Sequence, residues 1–309
     1  MELIRNLHNF RERHRGCVAT IGNFDGVHLG HQAIIRQLQT AAEKHGQPSV
    51  IVTFEPHPQE FFSPKKAPAR LMRLREKLGY LRQTGIDRVV CLRFDQTLAD
   101  MFAEDFISNI LVEKLDVRHL IIGDDFRFGK NRLGDIETLK KYAAQSGFDV
   151  GHTDTRMIEG RRVSSTWLRE LLAAGKMLEA VELLGRPYAI SGRVVHGEKR
   201  GRVLGYPTIN INLHRHLSPV SGIFAAKVYG LQAETIHAAV SIGNRPMFGG
   251  DDINLEAHLL DFDREVYGAY VTVELLKQLR HEKMFDNIDE LKKQMACDIS
   301  EARKFFTEK

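Results

Sequence analysis

The chain has 309 residues, 43% hydrophobic and 27% charged, with 9 prolines and 25 glycines. That balance belongs to a globular protein with room for two domains of roughly 150 residues each, and it excludes disordered, collagen-like and fibrous classes. The net charge of +4, from 44 basic and 40 acidic residues, is too small and too evenly spread to mark a nucleic-acid binder, while anionic small molecules remain suitable ligands.

No apolar run approaches the ~20 residues that span a bilayer, and the N-terminal stretch lacks the apolar core of an export signal. Cys17, Cys91 and Cys297 show no CxxC spacing, so neither a disulfide framework nor a zinc knuckle is expected. The expected location is cytoplasmic, with no membrane and no nucleic-acid partner.

In chain order, short β-branched runs at Cys17 to Ile21, Ser49 to Phe54, Arg88 to Phe94 and His119 to Gly123 alternate with segments of helical period. One helix is expected from about His31 to His45, with Ile34, Ile35, Leu38 and Ala42 inward and a stop at Gly46. Another opens with Thr97 to Asp100 as a capping box and turns Phe102, Phe106, Ile110 and Leu111 inward. Parallel strands need such crossovers, so the first half is expected to be an α/β, doubly wound parallel sheet.

Helical signals continue from Ser165 to Leu184, interrupted at Gly175, and end at Gly185-Arg186-Pro187. The domain boundary is expected there, dividing 1–185 from 186–309. Strand-like runs then follow at Tyr188 to His196, Gly222 to Tyr229, Ile236 to Ile242, Asn254 to Asp261 and Ala269 to Leu276, the pattern of a small all-β barrel. Asn287, three residues before Glu290, opens a C-terminal helix whose stripe of Ile288, Leu291, Met295, Ile299 and Phe306 is expected to pack on that barrel.

The turn Gly22-Asn23-Phe24-Asp25-Gly26-Val27-His28-Leu29-Gly30-His31 joins the first of these strands to the first helix. A glycine-bearing turn at a strand's carboxyl end lets phosphate approach the amides of the helix that follows. Its glycines fit neither the GxGxxG fingerprint nor the GxxxxGK[ST] loop. His28 and His31 are close enough to donate to one transferring phosphoryl group; the alternative is a pair of surface or capping histidines.

Gly22 to His31 closely resembles the signature of the bacterial bifunctional riboflavin kinase/FAD synthetase family, whose N-terminal half carries the HxGH motif of nucleotidyltransferases. Thr53-Phe54-Glu55-Pro56-His57-Pro58, Gly123 to Gly129 and Val163 to Arg169 are similar to the family's further N-terminal blocks, in order. The resemblance implies ATP contacts at Gly22, Asn23, Phe24, Asp25, Gly30, Asp125, Arg162, Ser165, Thr166 and Arg169. It implies flavin contacts at Phe54, His57, Pro58 and Phe128. From the residues alone, Glu-Pro-His-Pro is equally a stiff loop, capping suffices for Ser165 and Thr166, and core packing is the commoner fate of Phe126 and Phe128.

In the β half, Gly192 to Asn210 is the densest stretch of glycine and positive charge. Flexible glycines with Lys199, Arg200 and Arg202 suit a flap over polyphosphate, although a solvated basic hairpin accounts for them too. Thr208 and Asn210 offer hard oxygen donors suited to magnesium. Gly205-Tyr206-Pro207-Thr208-Ile209-Asn210 resembles the family's G-x-P-T-A-N kinase motif, with Ile209 in place of alanine, and Leu255 to Asp261 resembles the block carrying its catalytic glutamate.

The resemblance therefore implies Gly197, Lys199 and Arg202 on ATP, Thr208 and Asn210 on Mg²⁺, Glu256 as catalytic base and Arg280 on the flavin side. Its implied reactions are phosphorylation of riboflavin by ATP, giving FMN and ADP, and attack of FMN on the α-phosphorus of ATP, giving FAD and pyrophosphate, with His28 and His31 stabilising the transition state. Two rivals stand beside it: an enzyme with one decayed half, the kinase half being marked by Ile209, and a nucleotide- or RNA-binding protein favoured only by the isoelectric point of about 8.9. The residues leave the oligomeric state open.

Overall fold

Cys17–Ile21 (β2) is buried along its whole length, the mark of a strand covered on both faces. In the computed structural model, which describes residues 1–123, 125–153, 156–197, 204–213, 217–245 and 250–308, it lies inside a six-stranded sheet ordered β1-β4-β3-β2-β5-β6. The other strands are β1 (Glu2–Arg5), β3 (Ser49–Glu55), β4 (Arg88–Arg93), β5 (Val117–Ile122) and β6 (Asp149–His152), and every neighbouring pair is parallel. This is the doubly wound sheet expected from the alternating periods, with β1 and β6 added at its edges.

Crossovers between these strands are helical. Helix α1 (Leu29–His45) follows β2 and stops at Gly46, whose φ of 59° is the left-handed cap. Helices α2 (Pro58–Phe62) and α3 (Leu74–Gln83) follow β3, while α4 (Gln96–Ala99), α5 (Ala103–Asp105) and a π-helical stretch, Phe106–Lys114, follow β4. Helix α6 (Ile136–Ser146) follows β5. The π-helical stretch supplies Phe106, Ile107, Ile110 and Leu111 to a core shared with Ala19, Val52, Leu120 and Ile122.

Two local expectations are corrected. The cap of α4 is Asp95, whose carboxylate accepts from the Leu98 amide at 3.1 Å, so Thr97 lies inside the helix. Phe102 is 56% exposed, because it precedes α5 and carries the Lys130 ammonium over its ring instead of entering the core.

From β2 the chain passes through α1 to β3 on one side, whereas from β4 it returns to β5 on the other. The carboxyl ends of β2 and β5 therefore flank the topological switch point, where open α/β sheets bind ligands. A two-stranded ribbon, β7 (Met157–Ile158) and β8 (Arg161–Arg162), completes this unit. Burial pushes the Cys17 thiol up to about 12, so it is a packing group rather than a nucleophile.

The compact units are residues 1–68 with 73–163, and residues 69–72 with 164–309. The second begins with α7 (Ser165–Ala173) and α8 (Met177–Leu184), the latter closed by Gly185. Its strands are β9 (Tyr188–Val195), β10 (Ile209–Asn212), β11 (Gly222–Tyr229), β12 (Ile236–Arg245), β13 (Gly250–Leu259) and β14 (Tyr270–Arg280). They close an antiparallel barrel in the order β10-β13-β12-β11-β14-β9.

Val194, Ile211, Leu255, Ala257, Val240, Ile242, Phe224 and Val273 are buried and alternate with outward-facing residues, as a side-chain-filled barrel requires. Helix α9 (Ile288–Thr307) lays Ala302 on the cross-strand pair Ala225 and Ala239, three small residues that allow close approach. Ile288 of the expected stripe is 68% exposed; contact with the barrel is made further along, through Ala302 with Ile299, Phe305 and Phe306.

Candidate active sites

The β2–α1 loop reverses tightly. The Gly22 amide donates to the Val52 carbonyl at 3.0 Å, and Phe24, Gly26 and Val27 adopt φ values of 50°, 88° and 41°. Positive φ costs glycine little but strains a β-branched residue, so Val27 is held there by its surroundings. The turn buries Phe24, Asp25 and His28 and delivers His28 as the N-cap of α1.

His28 Nδ1 accepts from the His31 amide at 3.3 Å, which places the neutral ring's proton on Nε2. The two imidazoles stack with centroids 3.7 Å apart and planes 16° from parallel, and Phe24 backs His31 at 4.9 Å. A Cβ on Gly30 would stand 3.0 Å from His28 Nδ1 and 3.0 Å from the Val163 carbonyl, so glycine is what lets the His28 ring fold over the helix. Asn23 Oδ1 is buried with no hydrogen-bond partner among the described residues. A stacked histidine pair, a polar atom awaiting a donor and a positive helix end are together the chemistry that suits a phosphorylated ligand.

The loop after β5 pairs Asp125 with Arg162 at 3.2 Å, joining two residues expected on ATP. Phe128 goes elsewhere: it is buried, its ring 5.4 Å from Phe126 and 5.6 Å from Phe106, as a core residue. Beyond β3, His57 caps α2 by accepting from Gln59, and Pro58 takes the first helical position. Phe54 belongs to an aromatic group with Phe94, Phe61 and Phe62, of which Phe62 is 61% exposed. The last three escaped sequence reasoning; the adjacent Phe61-Phe62 directly after a proline-opened turn was the available signal.

Ser165, Thr166 and Arg169 lie on α7, in the second compact unit. The cap of α7 is Ser164, whose hydroxyl accepts from Trp167 at 3.2 Å, so capping does not explain Ser165 or Thr166. Arg169 Nε donates to the Ala69 carbonyl at 2.6 Å.

On the barrel, Asn210 of β10 stands directly opposite Glu256 of β13, and Glu256 in turn stands opposite Ser241 of β12. Cross-strand partners share a face, and this row lies outside the barrel, because its neighbours Ile211, Leu255 and Ile242 fill the interior. Any Cβ on Gly197 would fall 2.5 Å from Asn210 Cγ, so the glycine backbone lies against the Asn210 amide. His258 Nδ1 is 2.8 Å from the Pro207 carbonyl and fastens the segment carrying Thr208 to β13. Lys199 and Arg202 fall outside the described residues.

Arg280 is committed to protein: Nε and Nη2 each lie 2.7 Å from a carboxylate oxygen of Asp298, and Nη1 donates to the His281 carbonyl at 2.9 Å. No group of three or more His, Cys, Asp or Glu residues among those described could hold a metal.

A parallel sheet with a histidine pair at its switch point, joined in one chain to a barrel carrying an asparagine and a glutamate on adjacent strands, defines a two-unit transferase that handles nucleotides. The FAD synthetase family matches residues 10–167 and the riboflavin kinase family residues 184–306. The chain is 48% identical over 307 residues to the bifunctional riboflavin kinase/FMN adenylyltransferase of Escherichia coli K12, covering 99% of this chain and 98% of that one. With the enzyme of the same description from Haemophilus influenzae it is 44% identical over 306 residues, covering 99% of each. A crystal structure from Streptococcus pneumoniae described as a macrolide-efflux protein superposes with a TM-score of 0.81 at 29% identity, over 98% of this chain and 99% of that one. Among the described residues, no helix here is long and apolar enough to cross a membrane. The chain belongs to the bifunctional riboflavin kinase/FMN adenylyltransferase family.

Proposed function

We propose that this chain makes FAD from riboflavin in two steps, using ATP in each, with the adenylyl-transfer machinery in 1–185 and the kinase machinery in 186–309. The observation that carries this reading is that each compact unit holds its own polar cluster suited to phosphate chemistry: the His28–His31 stack in one and the Asn210–Glu256 pair in the other.

In the kinase step Glu256 orients the 5′-hydroxyl of riboflavin and accepts its proton while oxygen attacks the γ-phosphorus of ATP; FMN and ADP result. Thr208 and Asn210 would hold Mg²⁺, and the neutral oxygen of Asn210, packed beneath Gly197, suits an ion that keeps phosphate and water as its other ligands. Magnesium supplies charge neutralisation on the transferring phosphoryl group. Gly197, Lys199 and Arg202 cover the polyphosphate.

In the adenylyl step an FMN phosphate oxygen attacks the α-phosphorus of ATP and pyrophosphate leaves. His28, with its proton on Nε2, and His31 stabilise the charge that develops on the α-phosphoryl oxygens. Gly22, Asn23, Phe24, Asp25, Gly30, Asp125 and Arg162 are assigned to the nucleotide, and so are Ser165, Thr166 and Arg169 of α7. Phe54, His57 and Pro58 line the flavin side. Phe128 supports that side from the core, and Arg280 acts in the kinase half through α9. We place the enzyme in the cytoplasm.

The test incubates purified protein with riboflavin, ATP and Mg²⁺, separates the flavins by chromatography and repeats the assay from FMN. FAD from both starting points is expected. FAD from FMN alone means a dead kinase half, FMN without FAD means a dead adenylyl-transfer half, and no product from either overturns the reading.

A further inference from the structure

Glu282 follows β14, and its carboxylate occupies the space that a side chain on Gly243 of β12 would need. Gly243 lies two residues beyond Ser241, on the same outward face, and stands opposite Asn254 just as Ser241 stands opposite Glu256. The carboxylate of Glu282 therefore rests on the row next to that of Glu256, where only a glycine leaves room.

The side on which it rests matters. On β13, Asn254 and His258 lie to either side of Glu256. The His258 side carries the Pro207 contact, and with it Thr208, while Gly197 lies against Asn210 in the row of Glu256 itself. The Asn254 side carries Gly243 and Glu282. Donor and acceptor oxygens are roughly in line with phosphorus during phosphoryl transfer. With the nucleotide's phosphates on the Thr208 side of Glu256, the attacking alcohol must come from the Glu282 side.

Two residues along a strand span about 7 Å and the cross-strand step adds about 5 Å, so Glu256 and Gly243 are separated by roughly the reach of a five-carbon polyol. Riboflavin carries such a polyol, the ribityl chain, with its reacting hydroxyl at the far end. A carboxylate only accepts hydrogen bonds, and hydroxyls donate them. Among the described residues no hydrogen bond or ion pair engages the Glu282 carboxylate.

We infer that Glu282 is a substrate-binding residue of the kinase half, accepting hydrogen bonds from the secondary hydroxyls of the ribityl chain while Glu256 takes the terminal one. Desolvation against the strand raises the Glu282 pKa, opposed by the field of Arg280, which is the condition of a carboxylate awaiting donors. The inference rests on the kinase reading given above. It assigns Glu282 to discrimination among alcohols rather than to proton transfer.

The test measures ATP-dependent phosphorylation by the full chain with riboflavin and with a flavin lacking a secondary ribityl hydroxyl. The wild type is expected to prefer riboflavin by at least about tenfold in kcat/KM. Glu282→Gln and Glu282→Ala are expected to raise KM for riboflavin about tenfold, to leave kcat within about twofold and KM for ATP unchanged, and to lose most of that preference. Gly243→Ala, which displaces an intact Glu282, is expected to reproduce the KM effect. Fluorescence quenching of riboflavin by each variant reads the same loss directly, and the retained kcat and KM for ATP report an intact barrel. An unchanged KM for riboflavin in Glu282→Gln, or a preference kept in full, overturns the inference. Glu256→Gln separates the two levels: a kinase that survives it removes the underlying reading, whereas its loss alongside a wild-type Glu282→Gln removes only this one.

Discussion

Arg280 grips Asp298 with two contacts of 2.7 Å, Nε to Oδ1 and Nη2 to Oδ2, and so ties β14 to α9. Asp298 is 5% exposed and takes a third hydrogen bond from Gln294 at 2.9 Å. Removing the arginine leaves a buried carboxylate without its cation, which costs about 3 kcal/mol. Arg280→Ala is expected to lose that much stability in urea unfolding of the full chain. Arg280→Lys cannot reproduce the paired contact and should recover less than half of it. A loss below about 1 kcal/mol in Arg280→Ala would show that the pair contributes little.

Gly30→Ala brings a methyl group to 3.0 Å from the His28 ring on one side and the Val163 carbonyl on the other. The carbonyl belongs to the backbone, so the ring is what gives. With His28 in the role proposed above, a shift of this kind is expected to lower FAD formation from FMN by about tenfold or more, while FMN formation from riboflavin continues. A variant that makes FAD at the wild-type rate would show that the position of His28 is not critical.

His28→Asn separates two tasks. Asparagine keeps an N-cap on α1, so stability should stay within about 1 kcal/mol of the wild type. The imidazole is gone, and FAD formation should fall by about 10² to 10³. Thermal unfolding and the FMN-to-FAD assay on one preparation decide the matter; retained activity would make His28 a cap and nothing more.

Gly197→Ala places a methyl group 2.5 Å from Asn210 Cγ, a distance no side chain tolerates, so Asn210 must turn away. Riboflavin phosphorylation should fall by about 10² or more, with a higher requirement for Mg²⁺, and FAD should still form from supplied FMN. An unaltered Mg²⁺ dependence in a slowed enzyme would exclude Asn210 as a metal-binding residue.

His237 stacks on Phe306 with ring centroids 3.8 Å apart and planes 4° from parallel, opposite Lys227 on the neighbouring strand. Desolvation, aided by Lys227, lowers its pKa below the usual 6.5. The unfolded chain therefore binds this proton first as pH falls. Stability from the stack is complete above the unfolded pKa and drains away as pH drops toward the folded one. The melting temperature of the wild type should decline more steeply than that of His237→Phe between about pH 7 and pH 5.5. Parallel declines would assign the acid sensitivity to other groups.

Much of this architecture was legible because its signals are local. β2 and β11 match the expected Cys17–Ile21 and Gly222–Tyr229, and Asn287 caps α9 by accepting from Glu290 at 2.9 Å. The strands that escaped are short: β1 and β6 lie at sheet edges, and β10 is an Ile-Asn-Ile-Asn alternation hidden inside a motif read for its chemistry. Asp95 and Thr97 are both acceptable caps by residue type, and only the backbone decides between them. At the sites, the presence of the two histidines could be read but their stacking could not. The contact between Glu282 and Gly243 was invisible, because it joins a residue of β12 to one just beyond β14 and depends on a side chain that is absent.

Val27, held at φ 41° immediately before His28, sets a limit on improving this protein. Its side chain is 1% exposed, so glycine would relieve the backbone but leave a void where the isopropyl group packs, and asparagine would put an amide there. Either loss outweighs the relief, and a search for heat-resistant variants would pass this residue over. Sturdier versions of the protein and faster ones alike should keep the valine and change its neighbours.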